Sequence, residues 1–505
     1  MLRKIRILLS VVLFGLMTFY FLDFAEILPN SFHRLAHIQF IPALVSLSFI
    51  VLAALIVITL LFGRIYCSTV CPMGVFQDIV TWISKKTAKK KKRFHYSSAK
   101  NILRWGVLGV TGVAFLFGFT VILGLLDPYS AFGRMTVNVF KPVYMLGNNL
   151  LESIFSGFNN YTFYQVDASI LSISSFIIGV ITFLLIGFLA WKHGRTWCNT
   201  ICPVGTLLGF LSRFSLLKIR IDADKCNHCG LCATKCKASC IDSSKQVIDH
   251  SRCVDCFNCL GECRRNALHY ALPSGTKKQV ADTSKRRFLI AGLTTAAVAP
   301  KVMAQADNVI AAATGMKSEK RTIPITPPGS VNQEHFQSHC TSCHLCVSKC
   351  PSHVLKPAFM EYGLGGMMQP TVSFEKGFCN FDCTVCGDVC PNEAILPLTK
   401  AEKHLTQIGK VVFIEENCIV HRDGTSCGAC SEHCPTQALS MIPYKDGLTI
   451  PHIDTDICVG CGGCEYICPV RPFRAVYIQG NAVQQEAKPY TENKQEEIKV
   501  DDFGF

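Results

Sequence analysis

The chain has 505 residues, 49% of them hydrophobic, and it contains 29 cysteines. This composition excludes both a single soluble domain and a simple bundle of membrane helices, so the chain must contain several modules. The formal charge of +14 would suggest a nucleic-acid partner in another protein. Here the basic residues flank apolar segments, so we interpret the charge as an orientation signal and expect no nucleic acid.

Four apolar segments in the first part of the chain are each about long enough to cross a bilayer. They cover residues 7–22, 40–62, 102–126 and 170–191. Basic residues precede the first segment and follow the second, at 3–6 and 85–93. Because basic residues mark the cytoplasmic side, loops 23–39 and 127–169 are expected outside. The sequence therefore predicts an α-helical membrane domain of four transmembrane helices over residues 1–215, placed in a bacterial inner membrane.

The membrane part contains an internal repeat. Residues 63–74 and 194–205 both match the pattern G-R-x-aromatic-C-x3-C-P-x-G, and the second copy lies 131 residues after the first, from Cys67 to Cys198. Pairs of spans related by pseudo-symmetry would bring together Cys67, Cys71, Cys198 and Cys202. Four thiolates at a membrane edge could hold a metal ion or a cluster. The alternative is that each C-P turn only stops a helix and that its cysteines pack.

The polar, cysteine-rich stretch at 216–275 is predicted to be a ferredoxin domain with two clusters. Two runs share the spacing C-x2-C-x2-C-x3-C, namely Cys226, Cys229, Cys232 and Cys236, then Cys253, Cys256, Cys259 and Cys263. In two-cluster ferredoxins the fourth cysteine of each run binds the other cluster, which predicts that Cys263 and Cys236 cross over. Neither run ends in Cys-Pro, and Cys240 is a second candidate for the place of Cys236. Zinc ribbons also use C-x2-C pairs, but paired runs of four favour [4Fe-4S] clusters.

Residues 284–306 have the parts of a twin-arginine export signal. The Arg286–Arg287 pair is followed by Phe-Leu, a short apolar run and an A-x-A-like end at 304–306. The apolar run is shorter than a comfortable membrane span. Such signals serve domains that fold around a cofactor before they are exported, so we expect the following residues outside the cytoplasm. The alternative is a short Ala-rich helix after a basic surface patch.

After a linker predicted at 307–339, four more cysteine sets define a polyferredoxin domain at 340–478, followed by a polar tail at 479–505. The sets are Cys340, Cys343, Cys346 and Cys350; Cys379, Cys383, Cys386 and Cys390; Cys418, Cys427, Cys430 and Cys434; and Cys458, Cys461, Cys464 and Cys468. With the two earlier runs they predict about six [4Fe-4S] clusters. Only Cys240 lies outside all sets and motifs, so almost no cysteine is left for disulfides. The sequence leaves the pairing among these four sets open.

The first of these sets also spells C-x-x-C-H, the attachment signature of a c-type haem, at residues 340–344. Haem attachment does not need Cys346 or the Cys350–Pro351 step, whereas a cluster needs the additional cysteines. The continuation of the pattern therefore favours a cluster.

Taken together, these motifs resemble a fusion of two known subunits. Residues 1 to about 272 resemble NapH, the membrane quinol dehydrogenase ferredoxin subunit of periplasmic nitrate reductase systems. Residues 284 to about 478 resemble NapG, its exported four-cluster polyferredoxin partner. The resemblance implies α+β ferredoxin-like domains, quinol as the electron donor, and an exported oxidoreductase, such as a nitrate-reductase-like enzyme, as the acceptor.

No catalytic triad, phosphate loop or dinucleotide fingerprint stands out, so we expect a redox relay whose chemistry belongs to its cofactors. The expected partners are membrane lipid, the quinone pool and an exported reductase or electron-carrier protein. His33, Arg34 and His37 in the first outer loop could assist quinol deprotonation, or they could be ordinary interfacial residues. Two other functions stay open: a membrane redox sensor or metallocentre maturation factor, and a conduit from a cytoplasmic ferredoxin.

Overall fold

The computed structural model describes residues 1–24, 27–87, 94–167, 170–272 and 321–489. The predicted export signal at 284–306, the basic run at 89–93, and residues 307–320 and 490–505 of the predicted linker and tail lie outside this part. The first 215 residues are mainly helical. Their helices are α1 (Leu2–Leu22), α2 (Arg34–His37), α3 (Phe40–Val45), α4 (Phe49–Phe62), α5 (Tyr66–Thr69), α6 (Pro72–Thr87), α7 (Asn101–Leu116), α8 (Thr120–Leu126), α9 (Pro128–Met135), α10 (Lys141–Ser156), α11 (Ile173–His193), α12 (Thr196–Thr200) and α13 (Pro203–Leu211).

The two longest helices, α1 and α11, correspond to the first and fourth predicted spans. Each has 21 residues, dominated by Leu, Ile, Val and Phe. By length and composition these are the two described helices able to cross a membrane. α11 ends at Gly194, whose φ of 70° favours glycine and stops the right-handed helix.

The second and third predicted spans are each divided, where the sequence predicts single helices. α3 and α4 are separated at Leu47, with φ of 52°, and α7 and α8 at Gly118, with φ of 78°. A residue with positive φ cannot continue a right-handed helix. The longer pieces, α4 and α7, have 14 and 16 residues, which is below the roughly 20 that a span needs. Of the four predicted transmembrane helices, the structure therefore supports the first and the fourth by length, and it does not confirm the second and the third.

The first ferredoxin domain is small and has its own core. β1 (Lys218–Ile221) pairs antiparallel with β4 (Leu268–Ala271), and β2 (Ile241–Asp242) pairs with β3 (Val247–Ile248). A short helix, α14 (Leu231–Lys235), lies between β1 and β2 in the chain. Buried aliphatic side chains of the strands pack against most of the cysteines, so the core and the thiol sites form one unit.

The second ferredoxin domain contains three antiparallel strand pairs. β5 (Leu355–Pro357) pairs with β6 (Pro370–Val372), β7 (Thr406–Phe413) with β10 (Val476–Glu486), and β8 (Leu439–Pro443) with β9 (Thr449–Ile453). Its short helices are Gln333–His339, Leu345–Lys349, Val385–Asp388, Lys400–Leu405, Ile419–Asp423, Ala429–Glu432 and Gly463–Ile467.

This domain begins earlier and ends later than the predicted range of 340–478. The carbonyl oxygen of Gly329 accepts a backbone hydrogen bond of 2.8 Å from Leu396. At the other end, the side chain of Gln484 on β10 donates a hydrogen bond of 2.7 Å to the carbonyl oxygen of Pro327. Residues 321–339 and 479–489 thus belong to the folded domain, because the proline-rich segment packs against the polar end of β10.

The two ferredoxin domains contact opposite ends of the same helix. Near the start of α1, Arg6 forms an ion pair of 3.1 Å with Asp78, which also pairs with Lys237 of the first domain. Directly after the end of α1, Asp23 pairs with Lys349 of the second domain at 3.0 Å. A helix of this length is roughly 30 Å long, so this distance separates the two contacts.

α11 repeats this arrangement. Close to its start, the Ser175 hydroxyl is 3.5 Å from Nδ1 of His344 in the second domain. Just after its end, the Arg195 N–H donates a hydrogen bond of 2.9 Å to the carbonyl oxygen of Lys237 in the first domain. The helices therefore lie between the two ferredoxin domains.

Candidate iron-sulfur sites

The first domain groups its thiols into two cavities, in the crossed arrangement that the spacing predicts. One cavity is lined by Cys226, Cys229, Cys232 and Cys263. The other is lined by Cys236, Cys240, Cys253, Cys256 and Cys259. The last cysteine of each run thus lies with the first three of the other run. Four thiols around one cavity fit a [4Fe-4S] cluster, whose iron atoms are held by cysteine thiolates.

Cys240 lies between two of the candidate ligands. Its sulfur is 3.5 Å from that of Cys236, and it also forms a hydrogen bond with Cys253. The hydrogen bond from Cys240 lowers the pKa of Cys236 to about 6. A lowered pKa favours the thiolate, which is the form that binds metal. Both thiols line the same cavity, so the prediction of Cys236 as the ligand still depends on the spacing, which makes it the fourth cysteine of its run.

In the second domain, the first two cysteine sets exchange their fourth cysteines. Cys350 of the first set lies near Cys379 and Cys383 of the second. Conversely, Cys390 of the second set lies near Cys343 and Cys346 of the first. The sequence left this pairing open, and the structure groups the two sets as one two-cluster unit.

The third and fourth sets form a second unit of the same kind. Cys468 of the fourth set lines a cavity with the first three cysteines of the third set, which are Cys418, Cys427 and Cys430. Cys434, the last cysteine of the third set, lies near Cys461 and Cys464. The wider gap between Cys418 and Cys427 holds the helix Ile419–Asp423, so the insertion does not displace the thiols.

A common local structure directs the crossing thiols. The helices Leu231–Lys235, Leu345–Lys349 and Gly463–Ile467 each carry the third cysteine of a set, and the fourth cysteine follows directly. The residue before each helix has a left-handed backbone, with φ between 63° and 78°. The fourth cysteine has ψ between 100° and 122°. The chain therefore leaves the helix in an extended direction, which carries this thiol to the neighbouring set.

His344, the histidine of the C-x-x-C-H sequence, occupies one of these left-handed positions. Its ring is buried, and Nε2 is 2.9 Å from the carbonyl oxygen of Met368. Burial lowers the pKa of His344 to about 3, so the ring is neutral at ordinary pH. With both ring nitrogens near protein groups, His344 serves as a packing residue between the second domain and α11.

The two C-x3-C-P motifs of the membrane part are joined by reciprocal arginine contacts. Arg195 of the second copy donates a hydrogen bond of 2.6 Å to the carbonyl oxygen of Cys67 in the first. Arg64 of the first copy donates one of 3.4 Å to the carbonyl oxygen of Cys198 in the second. Both arginines are fully buried. The repeat is therefore an approximate two-fold arrangement in space, as the sequence predicts.

The glycine–arginine step of each motif also contacts the first ferredoxin domain. A Cβ on Gly63 would lie 2.3 Å from a carboxylate oxygen of Asp255, and one on Gly194 would lie 2.4 Å from the carbonyl oxygen of Lys237. The backbone N–H of Arg64 donates a hydrogen bond of 2.9 Å to that Asp255 carboxylate. Both glycines have positive φ, which an L side chain would strain. The motif thus docks the ferredoxin domain.

The four cysteines of these motifs are buried and near one another. Each is 3% to 4% exposed, and Cys202 lies near the thiols of Cys198, Cys71 and Cys67. The amide nitrogen of Gln77 is 3.1 Å from the sulfur of Cys198. Among the described residues, no three His, Cys, Asp or Glu side chains are close enough to hold one metal ion. A metal or cluster held by these cysteines therefore stays a prediction.

Three family models for iron–sulfur proteins match four segments of the chain. A model described as a 4Fe-4S binding domain matches residues 44–91 and 174–222, and each segment contains one C-x3-C-P motif. Models described as 4Fe-4S dicluster domains match residues 249–354 and 425–471. The match at 249–354 joins cysteines that the structure places in different domains. No solved structure matches the chain.

Several ferredoxin-type proteins are similar to parts of the chain. NapF of Escherichia coli K12 is 29% identical over 157 residues, which cover 31% of this chain and 87% of NapF. NapG of the same organism is 27% identical over 159 residues, covering 29% of this chain and 66% of NapG. The methylamine utilization ferredoxin-type protein MauM of Methylobacillus flagellatus is 31% identical over 156 residues, covering 28% of this chain and 63% of MauM.

Proposed function

We propose that this chain, an iron–sulfur electron-transfer protein related to NapG-type polyferredoxins, passes electrons from membrane quinol to an exported oxidoreductase or electron carrier. The main observation behind the proposal is that the first cysteine set of the second domain packs against the helices of residues 1–215. A Cβ on Gly124 or Gly133 would lie within 2.5 Å of a carbonyl oxygen of this loop. Arg134 also donates a hydrogen bond of 3.1 Å to the carbonyl oxygen of Ser342.

This contact is extensive and largely polar. The hydroxyl of Ser130 donates a hydrogen bond of 2.8 Å to that of Thr341, and Thr120 donates one of 2.7 Å to the carbonyl oxygen of Gln337. The partners are mostly buried, where a polar group needs a hydrogen bond to avoid a desolvation cost of about 1–3 kcal/mol. Such matched contacts support a fixed position of the first set beside the helices, where it would be the first acceptor of electrons from the membrane.

The cofactors in this proposal are six [4Fe-4S] clusters, which act as one-electron carriers when bound. They would be held by the crossed sets described above, four thiols to a cluster. The protein's own contribution is to fix the thiols, bury them and dock the two domains on the helices. The C-x3-C-P cysteines could hold a further metal or cluster; a Cys67→Ser, Cys198→Ser double variant with wild-type electron transfer would exclude a role for them.

The proposal places the first domain in the cytoplasm and the second in the periplasm, with four membrane crossings between them. Arg3, Arg6 and Lys85 line one groove with Lys235 and Lys237 of the first domain, which supports a cytoplasmic location of that domain under the positive-inside rule. Two of the crossings would be made by broken helices. Breaks are tolerated in a membrane where neighbouring protein surrounds the free backbone groups.

The exposure of one thiol favours an alternative electron donor on the cytoplasmic side. Cys229 in the first domain is exposed, which would allow a soluble cytoplasmic ferredoxin to approach that cluster. The function of a redox sensor or metallocentre maturation factor has no comparable support among the described contacts.

Quinol oxidation by the purified protein in lipid, followed by the visible absorbance of the clusters, tests these functions. We expect a short-chain quinol to bleach the absorbance under anaerobic conditions, and reduced ferredoxin to bleach it less. If only reduced ferredoxin bleaches the absorbance, the protein is a conduit from a cytoplasmic ferredoxin and does not oxidise quinol. If neither donor reduces the clusters, the relay itself is wrong.

A further inference from the structure

A cavity of about 130 Å³ lies where α10, the start of α11 and the second ferredoxin domain meet. One wall is a single face of the helical segment 137–145, with Val137 and Met145 as its apolar ends. Phe176 of α11 forms a second wall. Val347 and His353 of the second domain close the third. Val347 lies next to Cys346 in the chain, so this wall belongs to the loop that holds the first cysteine set.

The polar side of the cavity combines two buried groups with an exposed ion pair between Asp167 and Lys376. Lys141 is 7% exposed, and its Nζ donates hydrogen bonds of 2.6 Å and 2.9 Å to the carbonyl and hydroxyl oxygens of Ser348. The amide nitrogen of Asn138 donates a hydrogen bond of 2.8 Å to the carbonyl oxygen of Arg134. Asp167 lines the cavity and is largely exposed. A ligand there would meet apolar walls with a few fixed polar groups, the usual composition of a small-molecule site.

The surroundings of the cavity are apolar and exposed. On α10, Leu146 is 60% exposed, and on α11, Ile173 and Ile177 are 74% and 50% exposed. A continuous apolar surface of this kind is typical of a face that contacts lipid. The cavity can therefore be reached by a molecule that is dissolved in the bilayer.

We propose that this cavity binds the ring of a membrane quinol, with the tail of the molecule lying along α10 and α11. The volume is of the order of one substituted ring, and a quinol combines a flat apolar body with two hydroxyl groups that need polar partners. This inference rests on the proposed function and gives its donor a location. His33, Arg34 and His37, the candidates from the sequence, do not line the cavity.

A second, larger groove provides the competing location. It has a volume of about 510 Å³ and lies between α1, α6 and the first ferredoxin domain, at the other end of the helices. Its lining includes five cationic side chains, Arg3, Arg6, Lys85, Lys235 and Lys237, and only two acidic ones, Asp78 and Glu262. Such a concentration of positive charge favours an anionic headgroup over a neutral quinol.

The test is photolabelling of the full-length protein in lipid with a ring-azido quinone, followed by mass spectrometry of the labelled peptides. We expect adducts within residues 137–145 or 170–176 that decrease at least tenfold when excess unlabelled quinone competes. Met145→Trp fills the cavity and should abolish the adducts. Val110→Trp, at an exposed position of α7 that does not line the cavity, should leave them unchanged, with the cluster absorbance equal in both variants.

Each outcome separates this site from the proposed function. Adducts at residues 3–11 or 75–85, or no competed adduct, would overturn the site even if quinol reduces the clusters. Adducts in the cavity without cluster reduction by quinol would keep the site and overturn the electron-transfer function. Because competition is measured on the wild-type chain, the result does not depend on the folding of Met145→Trp.

Discussion

The guanidinium of Arg195 donates its shortest backbone hydrogen bond, of 2.6 Å, to the carbonyl oxygen of Cys67 in the other copy of the repeat. The same side chain forms an ion pair of 2.7 Å with Asp78. Burial would raise the pKa of Asp78, but the charges of Arg195 and Lys237 outweigh it and hold this pKa far below its usual range. One arginine therefore connects both motifs to the carboxylate that also binds α1 and the first ferredoxin domain.

The glycine that ends each motif makes this contact possible, which gives a first prediction. A Cβ on Gly74 would lie 2.2 Å from the carbonyl oxygen of Cys67 and 3.0 Å from the Arg195 guanidinium. Gly74→Ala should therefore destabilise the protein by about 1–3 kcal/mol through overpacking. Thermal unfolding in detergent should show a lowered midpoint.

Gly112→Ala is the matched control, because nothing lies within 4 Å of its Cβ position. In a helix interior this change should be neutral or stabilising by up to about 1 kcal/mol. Equal midpoints for Gly74→Ala and Gly112→Ala would contradict the close contact between the motifs.

The second prediction concerns the crossed ligands of the second ferredoxin domain. Cys350 belongs to the first set by sequence but lies beside Cys379 and Cys383 of the second. Cys350→Ser should lower the iron content by up to four atoms from about 24 per chain. The lost spectroscopic signal should be the same as the one lost in Cys379→Ser, and different from the one lost in Cys340→Ser.

Cys240→Ser is the control for this experiment, since the spacing predicts Cys236 as the ligand and Cys240 as its neighbour, 3.5 Å away. The serine hydroxyl can still donate a hydrogen bond to Cys236, so we expect unchanged iron content. Loss of about four iron atoms in Cys240→Ser, with normal iron in Cys236→Ser, would reverse the assignment of these two cysteines.

Much of the candidate site could be predicted from spacing alone, because cysteine ligands are fixed by local sequence. The crossing of Cys236 and Cys263 can be predicted because this domain has only two runs, so each run has only one other run with which to exchange its fourth cysteine. The four later sets allow several pairings, and only long-range packing places Cys350 beside Cys379 and not beside a cysteine of another set. The sequence identifies the sets but does not contain the pairing in any local pattern.

The helix breaks and the domain limits were not predicted, for different physical reasons. Leu47 is a good helix former, and its positive φ belongs to a helix end that is closed by the hydrogen bond from the Ser48 N–H to the carbonyl oxygen of Ala43. Gly118 was a visible signal, since glycine weakens a helix interior. The polar end of β10 was predicted to be part of a tail. It is stabilised by pairing with β7 and by the segment around Pro327, and both are distant in sequence.

The third prediction concerns the docking of the second domain on α1. Asp23 and Lys349 are 3.0 Å apart, with side chains 0% and 8% exposed. Removing one partner of a buried ion pair typically costs about 3–5 kcal/mol, because the other charge is left unpaired. Lys349→Met should therefore weaken docking roughly 100-fold or more.

This docking can be measured after a protease site is inserted between residues 273 and 320 and cut. In the wild type, the C-terminal fragment should still co-elute with the membrane part; in Lys349→Met it should dissociate. Asp23→Asn should weaken docking less in the Lys349→Met variant than in the wild type, because residues in contact have effects that are not additive. Lys488→Met, which breaks an exposed pair with Asp456, should have little effect, and equal dissociation in that control would contradict the role of the buried pair.

The last prediction concerns topology, and it joins the internal signal to the position of the two domains. Since the first domain is linked to the start of α1 through Asp78 of α6, and the second domain contacts the end of α1, a helix that crosses the membrane would place them on opposite sides. The predicted twin-arginine signal, which includes residues 284–287, would supply a route for a domain already folded around its clusters. In intact spheroplasts, a tag after residue 505 should be labelled, whereas a tag near residue 275 should be protected.

Changing Lys285, Arg286 and Arg287 to Gln should retain the C-terminal domain and its tag inside the cell. The domain should keep its iron but should no longer contact Asp23. A protected C-terminal tag in the wild type would instead require both ferredoxin domains on the cytoplasmic side, and α1 could then not cross the membrane between them.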